Sequence, residues 1–482
     1  MTIGSERDSA AAVPAQGGPV SPAEMPATEL LARYASGALS PVEAVESVLA
    51  RIERENPALN AFCQVWADEA RAAAKASAER WRRGEPVGPL DGVPVSIKDI
   101  MLTRGRPTLR GSATADPDQE WPEDSPVVAR LREAGSVFTG KTTTPEIAWK
   151  GVTDSPLTGV TRNPWDLSAT PGGSSGGASA AVAAGMGPLA TGTDGGGSVR
   201  IPASFTGVFA LKPTWGLVPH YPASAFGSLA HSGPITRTVA DAALMMDVIT
   251  GPDPRDWGAL APPSASFSAA LGGRGVRGMR IAYSPALWGL EVDPEVAAAV
   301  ETAVAAFTEL GAEVERADPP LTDCRRDFHV LWFSGAAKAM EKVPEERRDL
   351  IDPGLREIIA EGLTYSAQDY LTATATRMAL GERMGRFHQE YDLLVTPTMP
   401  ITAFEAGREV PPDWPDPRWT SWAGFSYPFN MTSQPAASVP CGFSSAGLPI
   451  GLQIVGPRHS DARVLTAAHA FEQARPWAHI RP

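Results

Sequence analysis

Two glycine-rich segments carry serines in settings that suit chemistry: Gly173-Ser174-Ser175-Gly176-Gly177 and Gly195-Gly196-Gly197-Ser198. A serine hydroxyl is a weak nucleophile at neutral pH and needs a neighbouring base, normally histidine. None of the seven histidines falls in these segments. A lysine replaces the imidazole only where burial disfavours its ammonium form. Lys98, which closes the apolar run Val93-Pro94-Val95-Ser96-Ile97, is placed for such burial. The glycines before Ser198 let backbone N–H groups approach a ligand with no Cβ in the way. Gly195, Gly196, Gly197 and Ser198 are therefore candidate donors to the oxyanion of a tetrahedral intermediate.

Two other motifs compete for attention. Residues 173–177 also satisfy G-x-S-x-G, the nucleophile elbow of Ser-His-Asp esterases, which needs an apolar strand directly before it. What precedes, Asn163-Pro164-Trp165-Asp166-Leu167-Ser168-Ala169-Thr170-Pro171, reads as loop. Of the downstream histidines, His469 lies in an Ala-rich helix and His479 near the C-terminus. Gly135-Ser136-Val137-Phe138-Thr139-Gly140-Lys141-Thr142 satisfies the phosphate-cradling G-x-x-x-x-G-K-[ST], but a helix precedes it where a strand should, and Val137-Phe138 calls for burial. Its plainer reading is a helix stop followed by a core strand.

These residues must be held by regular elements. Ser40-Pro41-Val42-Glu43 is a capping box with proline at the first helical position, and apolar residues follow at helical spacing over 41–55. An amphipathic helix over 68–83 precedes the strand at 93–97, which puts Lys98 at a strand end. A helix over 125–134 stops at Gly135 and leads into a strand at 136–138. The alternation continues: helix 178–184, strand 189–193, strand 208–211, helix 239–249, strand 279–282, helix 294–310 and a strand at 393–395. Residues 284–390 are mainly helical, including 338–363 and a long helix over 366–390, and read as an elaboration within one domain. The pattern predicts an α/β fold with a mixed sheet covered by helices on both faces. Residues 1–22 read as a disordered tail, leaving one large domain over 23–482.

Taken with Gly92-Val93-Pro94-Val95-Ser96-Ile97-Lys98-Asp99, the segments Pro171–Gly177 and Gly192–Ala203 resemble the amidase signature family of Ser-Ser-Lys hydrolases. The family's separations of lysine from first serine and of first serine from second are kept. Supporting similarity runs through 140–146, 161–165, 207–213 and 449–453. The resemblance implies that Ser198 is the acylated nucleophile, that Ser174 passes a proton between Lys98 and Ser198, and that Lys98 is the base. It also implies a cis peptide bond entering Ser174, a hydrogen-bonding role for Ser175 and a scaffolding role for Asp194 and Arg200. The activity implied is hydrolysis of a carboxylic amide, with esters and carbamates as related substrates. The family also contains the glutaminase component of glutaminyl-tRNA amidotransferase, which is an alternative within the resemblance. A Ser-His-Asp esterase and an inactive binding scaffold are the alternatives of other classes. Many family members carry a larger residue at the position of Gly195, which leads to the expectation of extra room near the acyl group.

Composition narrows the partners. The 482 residues carry 42 Lys+Arg and 55 Asp+Glu, a formal charge of −13, and are 43% hydrophobic. Such a chain lacks the clustered cations that nucleic acid or an anionic membrane surface requires. No apolar run is long enough to span a bilayer. Cys63, Cys324 and Cys441 form neither a zinc motif nor a disulfide framework, so the expected setting is a reducing cytoplasm, with no metal and no cofactor. Six aromatics lie between Trp414 and Phe429, and the resemblance places Trp422, Phe425 and Tyr427 at a substrate pocket for an apolar or aryl amide. A two-fold homodimer is the expectation for a soluble enzyme of this size.

Overall fold

The computed structural model describes residues 21–482. The expected tail lies outside the described residues except for its last two, and Pro22 opens a short 3₁₀ turn, Pro22–Glu24. Thirteen strands are present among the described residues: β1 (Phe62–Val65), β2 (Pro94–Lys98), β3 (Val137–Thr142), β4 (Asp154–Ser155), β5 (Gly159–Val160), β6 (Leu189–Asp194), β7 (Phe209–Lys212), β8 (His231–Thr236), β9 (Arg280–Tyr283), β10 (Glu313–Arg316), β11 (Leu393–Pro397), β12 (Ala436–Phe443) and β13 (Pro449–Val455). Eleven of them form one sheet in the order β1-β3-β2-β6-β8-β7-β12-β13-β11-β9-β10, and β4 pairs only with β5. The sheet is mixed: β3, β2 and β6 are mutually parallel, as are β11, β9 and β10, while β8, β7, β12 and β13 run antiparallel to their neighbours.

Strand periodicity divides each strand between two faces. In β2, Val95 and Ile97 enter a large apolar core that also takes Val239, Val300, Phe307, Val464 and Phe471 from covering helices. Ser96 and Lys98 therefore face the opposite side. The small-residue helix Gly176–Ala183 packs there against β2 and β6, and its glycines admit the close approach: a Cβ at Gly177 would stand 2.3 Å from Thr143 Oγ1.

Local signals account for most boundaries. The Ser40 capping box is formed, with Val42 N–H donating to Ser40 Oγ at 3.2 Å and Ser40 N–H to Glu43 at 2.8 Å. That helix runs on to Leu59, past the expected 55, and ends at Asn60 in the left-handed region. Gly135, at φ +84°, follows the helix Pro126–Glu133. Gly140, Lys141 and Thr142 sit inside buried β3, so no helix N-terminus stands there to cradle phosphate.

The expected helical run at 338–363 is instead the end of the helix Arg325–Met340, a 3₁₀ segment over Glu345–Leu350 and the helix Pro353–Gly362, broken at Pro344, which removes a backbone donor. Within 284–390, β10 extends the sheet edge beside β9. No helix among the described residues is long and apolar enough to cross a membrane.

Candidate active site

Lys98 is fully buried at the C-terminal end of β2. Its Nζ lies 2.7 Å from Ser174 Oγ, 2.9 Å from Ser175 Oγ and 2.9 Å from Thr193 Oγ1. Burial holds the lysine well below its ordinary range, opposed in part by the charge of Asp194. In its neutral form, which burial favours, the amine has two N–H groups and one lone pair. Ser175 Oγ–H donates to the Thr193 carbonyl at 3.2 Å, so Ser175 Oγ accepts from Nζ. With Thr193 Oγ1 taking the second N–H, the lone pair is left facing the Ser174 hydroxyl. Such a lysine can accept the serine's proton.

The peptide bond between Gly173 and Ser174 is cis. The Ser175 N–H donates to the Ser198 carbonyl at 3.1 Å, which ties the two serine loops together. Ser174 and Ser198 line one cavity of about 280 Å³, together with Thr193, Asp194 and Gly195.

The loop that carries Ser198 is built around Asp194, at the end of β6. Its carboxylate accepts from Gly197 N–H at 2.7 Å, Val199 N–H at 3.2 Å and Asn430 Nδ2 at 2.8 Å, and is bridged by Arg200 through Nε and Nη2, each at 3.0 Å. Burial alone would raise this carboxyl, but the Arg200 guanidinium holds it well below the usual carboxylate range. Arg200 reaches on to Ser426 O at 2.9 Å and Gln453 Oε1 at 2.8 Å. At Gly197, φ +129°, a Cβ would stand 2.5 Å from Ser426 Oγ, so glycine is required there. Of the four expected oxyanion donors, Gly197 has its N–H on Asp194. The N–H groups of Gly195, Gly196 and Ser198 have no hydrogen-bond acceptor among the described residues.

Two expectations need correction. Trp422, Phe425 and Tyr427 are buried but do not line the cavity. They belong to the packing behind the glycine loop: Tyr427 stacks on Phe328 at 4.8 Å, and Phe328 in turn stands against Gly196. Their apolar surface is consumed by the core before it can reach a ligand. The extra room beside Gly195 is also absent, because a Cβ there would stand 2.6 Å from Trp332 Cζ3. The Trp332 indole fills that space.

The cavity wall instead uses residues that the motifs do not single out. Trp332 and Phe226 are stacked at 3.9 Å, and Ile100, Met101, Val127 and the loop Pro219–Phe226 complete the apolar lining. Thr193 has a legible signal. Thr191 Oγ1 accepts from the Lys98 backbone N–H at 2.9 Å and Thr193 Oγ1 from its side chain, the two-residue alternation of a strand face. Trp332 has none, since the helix Arg325–Met340 is apolar on several sides. Among the described residues no histidine hydrogen-bonds to Ser174, Ser175 or Ser198, and His469 faces Glu472 instead. No group of three metal-binding side chains forms among them.

A helix-covered mixed sheet that buries a lysine against serines beside a glycine-rich loop defines a class, the amidase-type hydrolases of carbon–nitrogen bonds. The chain belongs to the amidase signature family, matching the family described as Amidase over residues 43–465. It is 42% identical to an acylamidase of Rhodococcus erythropolis, over 95% of this chain and 96% of that one. It is 37% identical to a glutamyl-tRNA(Gln) amidotransferase component of Chloroflexus aggregans, over 93% and 96%. Among solved structures it is similar to a bacterial aryl acylamidase of the same family, with a TM-score of 0.87 and 35% identity over 94% of this chain and 97% of that chain.

Proposed function

We propose that the protein hydrolyses apolar or aryl amides and anilides through a seryl acyl-enzyme on Ser198, with Ser174 and Lys98 moving the proton. The observation that carries this reading is the fully buried Lys98 amine 2.7 Å from Ser174, which lines the cavity together with Ser198. Ser198 Oγ attacks the amide carbon as its proton passes to Ser174 Oγ and the Ser174 proton passes to Lys98 Nζ. The oxyanion is received by the N–H groups of Gly195, Gly196 and Ser198. The same relay in reverse protonates the leaving nitrogen, the C–N bond breaks, and the amine departs. Water, deprotonated by the same relay, then releases the acid. Esters and carbamates present the same carbonyl to the same serine and fall within this reading.

The cavity wall supports an apolar substrate over free glutamine. An α-ammonium would need an anionic partner, and the one carboxylate among the lining residues, Asp194, is already paired with Arg200. Cys63, Cys324 and Cys441 are all unpaired, which supports a cytoplasmic setting. The test is peptide mapping after treatment with a serine-reactive phosphonofluoridate. A single adduct on Ser198, greatly slowed in Lys98→Ala, is expected; an adduct on Ser175, or none, overturns the assignment.

A further inference from the structure

Arg110, Ile147 and Ala148 line the same cavity as the serines. All three are non-glycine residues in the left-handed region, at φ +57°, +45° and +61°. That conformation is uncommon for side-chain-bearing residues and least suited to a β-branched one, and it persists where the surroundings over-determine it, often at ligand sites. Here the segments hold each other: Ile147 N–H donates to the Arg110 carbonyl at 2.7 Å. Asp99, next to Lys98, grips both flanks of Arg110 by accepting from Leu109 N–H at 3.2 Å and Gly111 N–H at 3.3 Å.

The loop is fixed, but the side chain it presents is not engaged. Arg110 is exposed, and among the described residues its guanidinium has neither an ion-pair partner nor a hydrogen-bond acceptor. Asp99 is buried and lies 3.5 Å from Lys141 instead. Asp194, also on the wall, is neutralised by Arg200, and His220 is held neutral by burial. Arg110 is therefore the one charged side chain lining the cavity that has no partner among the described residues.

We propose that Arg110 holds a carboxylate of the substrate, so that the preferred amides have an apolar or aryl body that also carries a carboxylate. This rests on the hydrolase reading above and specifies its substrate class. A guanidinium presents a planar fork of donors that matches a carboxylate with two parallel hydrogen bonds, and a compact ammonium does so less well. Hydrogen bonds to a charged group of this kind correspond to about 10- to 100-fold in affinity.

The test compares matched pairs on the wild type, Arg110→Gln and Arg110→Lys. 4-Acetamidobenzoate against acetanilide carries the carboxylate on the amine side; the monoanilide of glutaric acid against butyranilide carries it on the acyl side. In at least one pair the preference for the acid, as a ratio of kcat/KM, falls by about 10- to 100-fold in R110Q, chiefly through KM, and partly returns in R110K. Equal losses within both pairs, or no change in either, overturn the proposal. Calorimetric binding of the same acids to Ser198→Ala, with and without R110Q, reads Arg110 without turnover. Arg110-dependent binding with no turnover of any of the four by the wild type would sustain the carboxylate site and refute the hydrolase reading. Binding that ignores Arg110 refutes the carboxylate site alone.

Discussion

Gly195 and Trp332 occupy one space between them, and that predicts a strong coupling. Gly195 has no positive φ, so a side chain there meets no backbone penalty, only the indole at 2.6 and 2.8 Å. Ordinary contact begins near 3.4 Å, so Gly195→Ala requires a shift approaching 1 Å. Trp332 has little freedom to give it. It stacks on Phe226 at 3.9 Å and on Phe328 at 5.4 Å, meets Trp419 edge-on at 6.2 Å, and donates from Nε1 to the Trp149 carbonyl at 3.0 Å. Overpacking a site of this kind costs about 1–3 kcal/mol. Trp332→Ala, which empties a buried site, costs about 3–5 kcal/mol. In the double variant the new methyl enters vacated space and its penalty vanishes, so the two effects fall short of additivity by about 1–3 kcal/mol. Urea unfolding of the four proteins measures this directly. Additivity to within about 0.5 kcal/mol would refute the claim that the indole takes the place of a side chain at 195. The acyl-chain preference should broaden in Trp332→Ala and narrow again in Gly195→Thr/Trp332→Ala.

If neutral Lys98 is the base, kcat/KM rises with pH to a plateau, because deprotonation produces the active form, and Lys98→Ala abolishes the rising limb in a pH–rate profile. Burial depresses this lysine in the fold, so below the ordinary lysine pKa the unfolded chain binds a proton that the folded one does not. Stability therefore rises with pH across that window, by up to about 1.4 kcal/mol per pH unit, and Lys98→Met flattens that part of the profile in denaturation at several pH values. Asp194→Asn strands a fully buried Arg200 and should cost about 3–5 kcal/mol on unfolding, with loss of serine labelling. Dialysis against EDTA leaves turnover unchanged, and a loss restored by metal would count against the lysine mechanism.

Much of this site is legible in the chain because its signals are local. Lys98 closes an apolar strand, and the capping box at Ser40 and the stop at Gly135 mark helix ends by rules that act within a few residues. Ser174 and Ser198 sit in segments too glycine-rich to be ordinary helix or strand. Features set by distant packing are not legible. β8 runs between β6 and β7 despite Pro234 and Gly233, where propensity argues against a strand. β10, with sequence Glu-Val-Glu-Arg, is a charged edge strand that owes its existence to β9. The aromatics at 419–429 suit a pocket wall or a buried cluster equally by composition, and the resemblance favours the pocket; they pack in the core instead, because composition cannot tell a pocket wall from the core behind it. Arg110 is one exposed arginine among many in the sequence; only its backbone conformation and its place on the cavity set it apart.

The Asp194–Arg200 brace has a consequence for the order in which the protein becomes active. Lys98, Ser174 and Ser198 all lie in the first half of the chain, yet Arg200 anchors to Ser426, Asn430 and Gln453. The sheet has the same dependence, since β7 meets β12, and β9 joins it only through β11 and β13. During synthesis the nucleophile is therefore translated long before the groups that hold its loop. A ribosome-bound or prematurely terminated chain that stops short of Ser426 carries every reacting residue and lacks all three anchors, Ser426, Asn430 and Gln453, of the brace that aligns Ser198. Activity is licensed by the last portion of the chain to emerge.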